Sequence, residues 1–100
     1  MADLQEKAEK ASQLLAAMAN PKRLLILCNL VQGEMAVGTL AGAVDLSQSA
    51  LSQHLAKLRA LNLVSTRRDA QTIYYSVASG EVQAILETLY ELYCKEPEGR

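Results

Sequence analysis

The chain has 100 residues, half of them hydrophobic, with no Trp or Phe and a formal net charge of −1. That describes one small Leu- and Ala-rich domain, mostly helical, whose core is modest enough for a partner chain to help cover it. No run approaches the ~20 uninterrupted apolar residues of a membrane span. The polar opening Met1-Ala2-Asp3-Leu4-Gln5-Glu6-Lys7 is not an export signal, so the expected location is cytoplasmic, with both cysteines as reduced thiols.

Leu4, Ala8, Ala11, Leu15 and Met18 recur at helical steps and predict a first amphipathic helix. It should end near Asn20, because Pro21 disfavours helix at the preceding residue and suits the first position of the next one. A second helix is expected from Pro21 to about Val31, with Leu24, Leu25, Leu27, Cys28 and Val31 towards the core. Gln32-Gly33-Glu34 closes it. A short helix from about Val37 to Val44 follows, then a turn at Asp45-Leu46, and Ser47 is a good N-cap for the next helix.

That fourth helix is the most informative stretch. Leu51, Leu55 and Leu58, extended by Leu61, form the stripe that packs on a core, while Gln48, Ser49, Ser52, Gln53 and Lys57 share the other face. No carboxylate occurs from Leu46 to Ala60. Ordinary solvated faces mix acids and bases. A face of short polar donors and acceptors that excludes anions suits a polyanionic groove, which points to DNA.

After Asn62 the period changes to two. Leu63–Arg67 and Gln71–Val77 read as paired strands, with Ile73, Tyr75 and Val77 on one side, Tyr74 and Ser76 on the other, and a charged tip at Arg68-Asp69-Ala70. From Ser79 a last helix carries Val82, Ile85, Leu86, Leu89, Leu92 and Tyr93 and ends near Cys94. Residues 97–100 read as a frayed tail, and Tyr74, Tyr75, Tyr90 and Tyr93 as packing residues.

The element order predicts a mainly α chain with a small β-hairpin: a winged helix-turn-helix forming a single domain over residues 1–96. Its first and last helices carry more apolar surface than a monomer of this size needs. A homodimer joined through those two helices would cover it and offer two reading helices to a palindromic site. Charge is divided accordingly. Residues 47–78 carry Lys57, Arg59, Arg67 and Arg68 against Asp69 alone, whereas residues 79–100 carry five glutamates against Lys95 and Arg100. With screening over about 10 Å, the basic middle acts independently of the acidic end.

Candidate site residues follow. Gln48, Ser49, Ser52 and Gln53 are candidates for base edges, Gln being able to pair two-pronged with adenine, though some serines serve phosphate instead. His54 either touches phosphate or orients the helix. Lys57, Arg67 and Arg68 are expected on phosphate, with the hairpin tip at an adjacent minor groove, and Gln71 is a weaker candidate. Lys22 and Arg23 are placed to contact DNA backbone, or, for Arg23, a local acid. Taken by themselves, Cys28 and Cys94 read as small core hydrophobes, as free cysteines commonly are, although Cys94 stands at a helix end where packing rarely demands Cys. No Cys-x-x-Cys pair or Gly-rich cofactor loop is visible, so neither an enzyme nor a bound cofactor is expected.

Several blocks resemble the ArsR/SmtB family of winged-helix repressors: residues Met18 to Leu27 (Met-Ala-Asn-Pro-Lys-Arg-Leu-Leu-Ile-Leu), Leu46 to Leu55 (Leu-Ser-Gln-Ser-Ala-Leu-Ser-Gln-His-Leu), Leu63-Val64 and Tyr74-Tyr75. Within the family, Ile26-Leu27-Cys28, Arg68-Asp69-Ala70-Gln71 and Leu92-Tyr93-Cys94 resemble the BigR/SqrR/HlyU-like subgroup. The resemblance implies a homodimer that holds operator DNA until an inducer releases it. For the subgroup it implies that Cys28 and Cys94 are the sensor, oxidised by persulfides or other reactive sulfur species and joined within one subunit through additional sulfur atoms. An HlyU-like antisilencing activator is the alternative. The family's metal ligands, a Cys-rich third helix or Asp and His pairs on the last, have no counterpart here. Residues 37–44 read Val-Gly-Thr-Leu-Ala-Gly-Ala-Val, and the only His is His54. No metal site is therefore expected, a two-thiolate site for a soft ion being the remaining metal-sensing alternative.

Overall fold

The computed structural model describes residues 2–94, so the tail expected at 97–100 lies outside the described residues. Five helices and three short strands follow one another as α1 (Ala2–Met18), α2 (Pro21–Leu30), β1 (Met35–Ala36), α3 (Val37–Val44), α4 (Gln48–Ala60), β2 (Val64–Asp69), β3 (Thr72–Val77) and α5 (Gly80–Tyr93). This is a winged helix-turn-helix, with α3 and α4 as the helix pair and β2–β3 as the wing.

Each boundary has a local cause. Asn20 is extended and its side-chain oxygen accepts from the backbone N–H groups of Lys22 and Arg23, both at 3.0 Å, while Pro21 occupies the first turn. The pair stops α1 and starts α2. α3 ends at Asp45, which is left-handed (φ 56°), and the Leu46 N–H returns to the Ala41 carbonyl at 3.0 Å. Ser47 then caps α4 by accepting from the Ala50 N–H at 3.1 Å. α4 in turn stops at Asn62 (φ 60°), a residue type that tolerates the left-handed region. Ser79 caps α5 by accepting from the Val82 N–H at 3.2 Å.

One core joins these pieces. Ile26, Leu27, Leu30, Leu40, Leu51, Leu55, Leu58 and Val82 are fully buried, with Met18, Val44, Val64 and Leu86 around them. Of the stripe expected on α4, Leu51, Leu55 and Leu58 are buried, whereas Leu61 lies past the helix end and is exposed. On α2 the expected inner face is rotated: Ile26 and Leu30 are buried, whereas Leu25 is exposed. The reason is that α2 is central and packs on several neighbours, which a single-stripe reading does not anticipate.

The sheet has strand order β1-β3-β2, all antiparallel. β1 pairs Met35 with Tyr75 and Ala36 with Tyr74; at two residues it is too short to show a period in sequence. The wing also runs further than expected. Arg68 pairs with Ile73 and Asp69 with Thr72, so the tip is Ala70-Gln71 and not Arg68-Asp69-Ala70. Ala70 adopts φ 57°, which closes the hairpin in two residues and leaves its neighbours in the ladder.

Candidate nucleic-acid interface and thiol pair

α4 presents its polar face outward. Gln48, Ser49, Ser52, Gln53 and Lys57 are all exposed, on the side opposite Leu51, Leu55 and Leu58. The first turn of α4 carries no acid and its last turn carries Lys57 and Arg59, so the helix has no anion to repel phosphate. Gln48 Nε2 lies 4.0 Å from the position a Cβ on Gly38 would take, which sets this Gln across the start of α3. His54 is half-buried. Loss of solvent, then the nearby charges of Arg23 and Lys57, hold its imidazole below the ordinary value.

The two wing arginines differ. Arg67 is tied down: its Nε donates to Glu34 Oε2 at 3.2 Å, its Nη2 to Glu34 Oε1 at 2.5 Å, and its guanidinium carbon lies 4.6 Å from the Tyr74 ring centre. The Arg68 side chain has no hydrogen bond or ion pair among the described residues, although its backbone pairs with Ile73, and Gln71 is exposed in the tip turn. Lys22 and Arg23 are both occupied as well. Lys22 Nζ donates to the Val44 carbonyl at 2.8 Å, at the end of α3, and Arg23 Nε donates to the Ala17 carbonyl at 2.6 Å, at the end of α1. Arg23 therefore pairs with carbonyls and not with a local acid. Asn20-Pro21-Lys22-Arg23 is a junction that caps α2 and grips the ends of α1 and α3 at once.

The cysteines come from α2 and from the end of α5. Cys28 is half-buried against the core and Cys94 is exposed, and both are free thiols. Burial raises the Cys28 pKa above the ordinary thiol value, and the charge of a Cys94 thiolate raises it further, so the two sulfurs lie within electrostatic reach of each other. Tyr90 and Tyr93, expected as packing residues, are 57 % and 82 % exposed in the single chain. They join Leu4, Leu15 and Leu92 as large apolar side chains uncovered on α1 and α5. Among the described residues, no group of three or more His, Cys, Asp or Glu is arranged to hold a metal, and no helix is long and apolar enough to cross a membrane.

Residues 20–66 match the model of the bacterial regulatory proteins of the arsR family. The nodulation protein NolR of Rhizobium meliloti is 69% identical over 88 residues, covering 88% of this chain and 72% of NolR. The chain belongs to the ArsR family. The transcriptional activator HlyU of Vibrio cholerae is 52% identical over 93 residues, covering 93% of this chain and 86% of HlyU. The reduced form of HlyU matches this structure with a TM-score of 0.90 at 50% identity, over 95% of this chain and 100% of that one. The transcriptional repressor BigR of Xylella fastidiosa gives a TM-score of 0.86 at 33% identity, over 94% and 96% of the two chains.

This ArsR-family chain is thus a DNA-binding transcriptional regulator and not an enzyme. Sequence reasoning missed two participants in the framework of its interface. Local pattern gives Glu34 only a helix-closing role, and nothing local in the sequence announces a pairing with Arg67, 33 positions away. The gripping role of Lys22 was missed because long-range bonds to helix-end carbonyls leave no periodic signal.

Proposed function

We propose that this ArsR-family regulator is a cytoplasmic homodimeric repressor that releases operator DNA when Cys28 and Cys94 are oxidised by reactive sulfur species. The observation that carries the DNA half is the exposed, carboxylate-free face of α4. Gln48, Ser49, Ser52 and Gln53 read base edges from the major groove, Lys57 and Arg68 bind phosphate, and Gln71 supports them at the tip. His54 completes the phosphate side. The uncovered Leu4, Leu15, Tyr90, Leu92 and Tyr93 supply the dimer surface through α1 and α5.

The sensing half follows from thiol chemistry. A Cys94 thiolate takes the outer sulfur of a persulfide, which leaves as a thiol. A second persulfide can lengthen the chain by one sulfur. Cys28 then attacks the sulfur next to the terminal one and expels hydrosulfide, closing a bridge between α2 and α5. One equivalent yields a disulfide and two yield a trisulfide, each with one H₂S, so the bridge length records the donor. A plain disulfide requires Cα atoms within about 7 Å, and thiols held farther apart would favour the longer link. Bridging would couple the dimer helix α5 to α2 and so change the spacing of the two reading helices.

The test is a mobility-shift titration with upstream fragments of the chain's own genome against random duplex, before and after persulfide treatment. Specific fragments should bind at least on the order of 10³-fold more tightly, and treatment should release them. The Cys28→Ser protein should bind normally and ignore the donor. Equal binding to all duplexes would defeat the DNA half. If diamide forms a disulfide as readily as persulfide forms a longer link, bridge length does not select the inducer. The likeness to the activator HlyU favours a second reading, in which the same interface displaces another DNA-bound protein. Deleting the gene then lowers transcription of the target instead of raising it.

A further inference from the structure

The three-stranded sheet has two unlike faces. Val64, Met35, Tyr75 and Val77 face the core, and the two-residue period puts Arg68 and Ile73 on that same side. Tyr75 there lines a cleft with Ser52, Ala56, Arg59 and Ala60 of α4, so this is the side the reading helix shares. The other face carries Ser65, Arg67, Tyr74 and Ser76, with the two serine hydroxyls 3.1 Å apart. On it, Arg67 crosses from β2 over the Tyr74 ring of β3 to Glu34, the residue before β1. A carboxylate of Asp69 lies 4.0 Å from Nη1, so all three guanidinium nitrogens face acids of the chain itself. The hydrogen bond from Arg67 holds the Glu34 carboxyl below the usual carboxylate range.

A two-stranded hairpin is marginal by itself, and β1 adds only two residues of ladder at its base. We infer that Glu34 is a positioning residue for DNA binding: its two-pronged pair with Arg67, laid across Tyr74, fixes the wing so that Arg68 meets phosphate, and Arg67 itself does not touch DNA. The inference rests on the DNA-binding reading above, and it divides two adjacent arginines that sequence treats alike. One is a strap on the outer face, and the other is the ligand on the inner face.

Four variants test it: Glu34→Gln, Arg67→Gln, Arg68→Gln, and the exchange of Glu34→Arg with Arg67→Glu. Two readouts apply: the salt dependence of affinity for an operator duplex, and amide hydrogen exchange of the wing in the free protein. Glu34→Gln and Arg67→Gln should each weaken binding about 5-fold at fixed salt while keeping the log–log slope. Arg68→Gln should reduce that slope by about two per dimer, one phosphate from each protomer. The exchanged pair should regain most of the lost affinity. Exchange over residues 67–74 should quicken in Glu34→Gln and slow again in the exchanged pair. Tighter binding by Glu34→Gln, or a slope lowered by Arg67→Gln as much as by Arg68→Gln, would make Arg67 a phosphate ligand and overturn the inference. Unaltered wing exchange in Glu34→Gln overturns the strap whatever the DNA result. A native chain that prefers no duplex overturns the DNA reading instead, with the exchange data still deciding the strap.

Discussion

Arg23 Nε donates to the Ala17 carbonyl at 2.6 Å, so the first turn of α2 holds the last turn of α1. The guanidinium also reaches the Ala16 carbonyl at 3.4 Å. Those carbonyls would otherwise end α1 unsatisfied, and a cation there matches the negative end of the helix. Arg23→Ala should lower stability by about 1–2 kcal/mol, seen as a reduced urea midpoint with an unchanged slope. Arg23→Lys should recover only part of it, because a point charge cannot fork to two carbonyls. A variant of native stability and weakened DNA affinity would return Arg23 to the DNA-contact reading.

The apolar side chains uncovered on α1 and α5 lead to a second prediction. Leu4 is 66 % exposed and Leu92 70 %, and with Tyr93 they are costly to leave in water. Leu92→Glu and Tyr93→Glu should each shift the dimer to monomer in sedimentation velocity at micromolar concentration. Operator affinity should fall on the order of 100-fold, because two reading helices no longer act as one ligand. Helical circular dichroism should be retained, since neither residue contributes to the core. A native chain that sediments as a monomer would remove the interface from the account.

How far the sequence disclosed this arrangement depends on the range of the interactions. Ser47, Asn20 and Pro21 act on neighbours within a turn, and they set the boundaries of α2 and α4 where local reasoning put them. The Leu51–Leu55–Leu58 stripe is likewise periodic, and its polar counterpart on α4 could be read directly. What stayed hidden was tertiary. β1 exists only because β3 supplies its partners, and the inner face of α2 depends on how many neighbours surround it. The Glu34–Arg67 pair needs a closed sheet before the two residues can meet. Ala70 misleads for another reason: a residue with a Cβ in the left-handed region opposes its own preference, so local reasoning opens the tip at Arg68, two residues before the observed Ala70-Gln71 turn.

A third prediction concerns the order of thiol reaction. Cys94 is exposed, while burial, reinforced by the Cys94 charge, raises the pKa of half-buried Cys28. At pH 7.5, iodoacetamide should therefore alkylate Cys94 several-fold faster than Cys28, because burial both restricts access to Cys28 and suppresses its thiolate. The Cys28 rate should keep climbing at pH values above the ordinary thiol range. In Cys94→Ser the Cys28 rate profile should move to lower pH, since one of its two raising causes is gone, but burial should keep it above a free thiol. Peptide mass spectrometry at timed quenches reads both rates. Faster labelling of Cys28 would reverse the proposed sequence, in which Cys94 takes the first sulfur.

His54 links the interface to proton concentration. Its imidazole is held below the ordinary histidine value of 6.5, first by desolvation and then by Arg23 and Lys57. In the unfolded chain it binds a proton near that value, and in the folded chain only at lower pH. Its contribution to stability is thus fully present above the unfolded value and is lost as pH falls through 6.5 towards the folded one. A phosphate beside the ring reverses the local balance by favouring the cation. The complex should then take up a proton that the free protein does not hold, and DNA affinity should rise as pH falls from 7.5 to 6. Calorimetry in buffers of different ionisation enthalpy would register that proton directly. His54→Gln should bind without the pH dependence and lose the acid-side fall in stability. If native and variant affinities run parallel with pH, His54 orients the helix and stands clear of the phosphate.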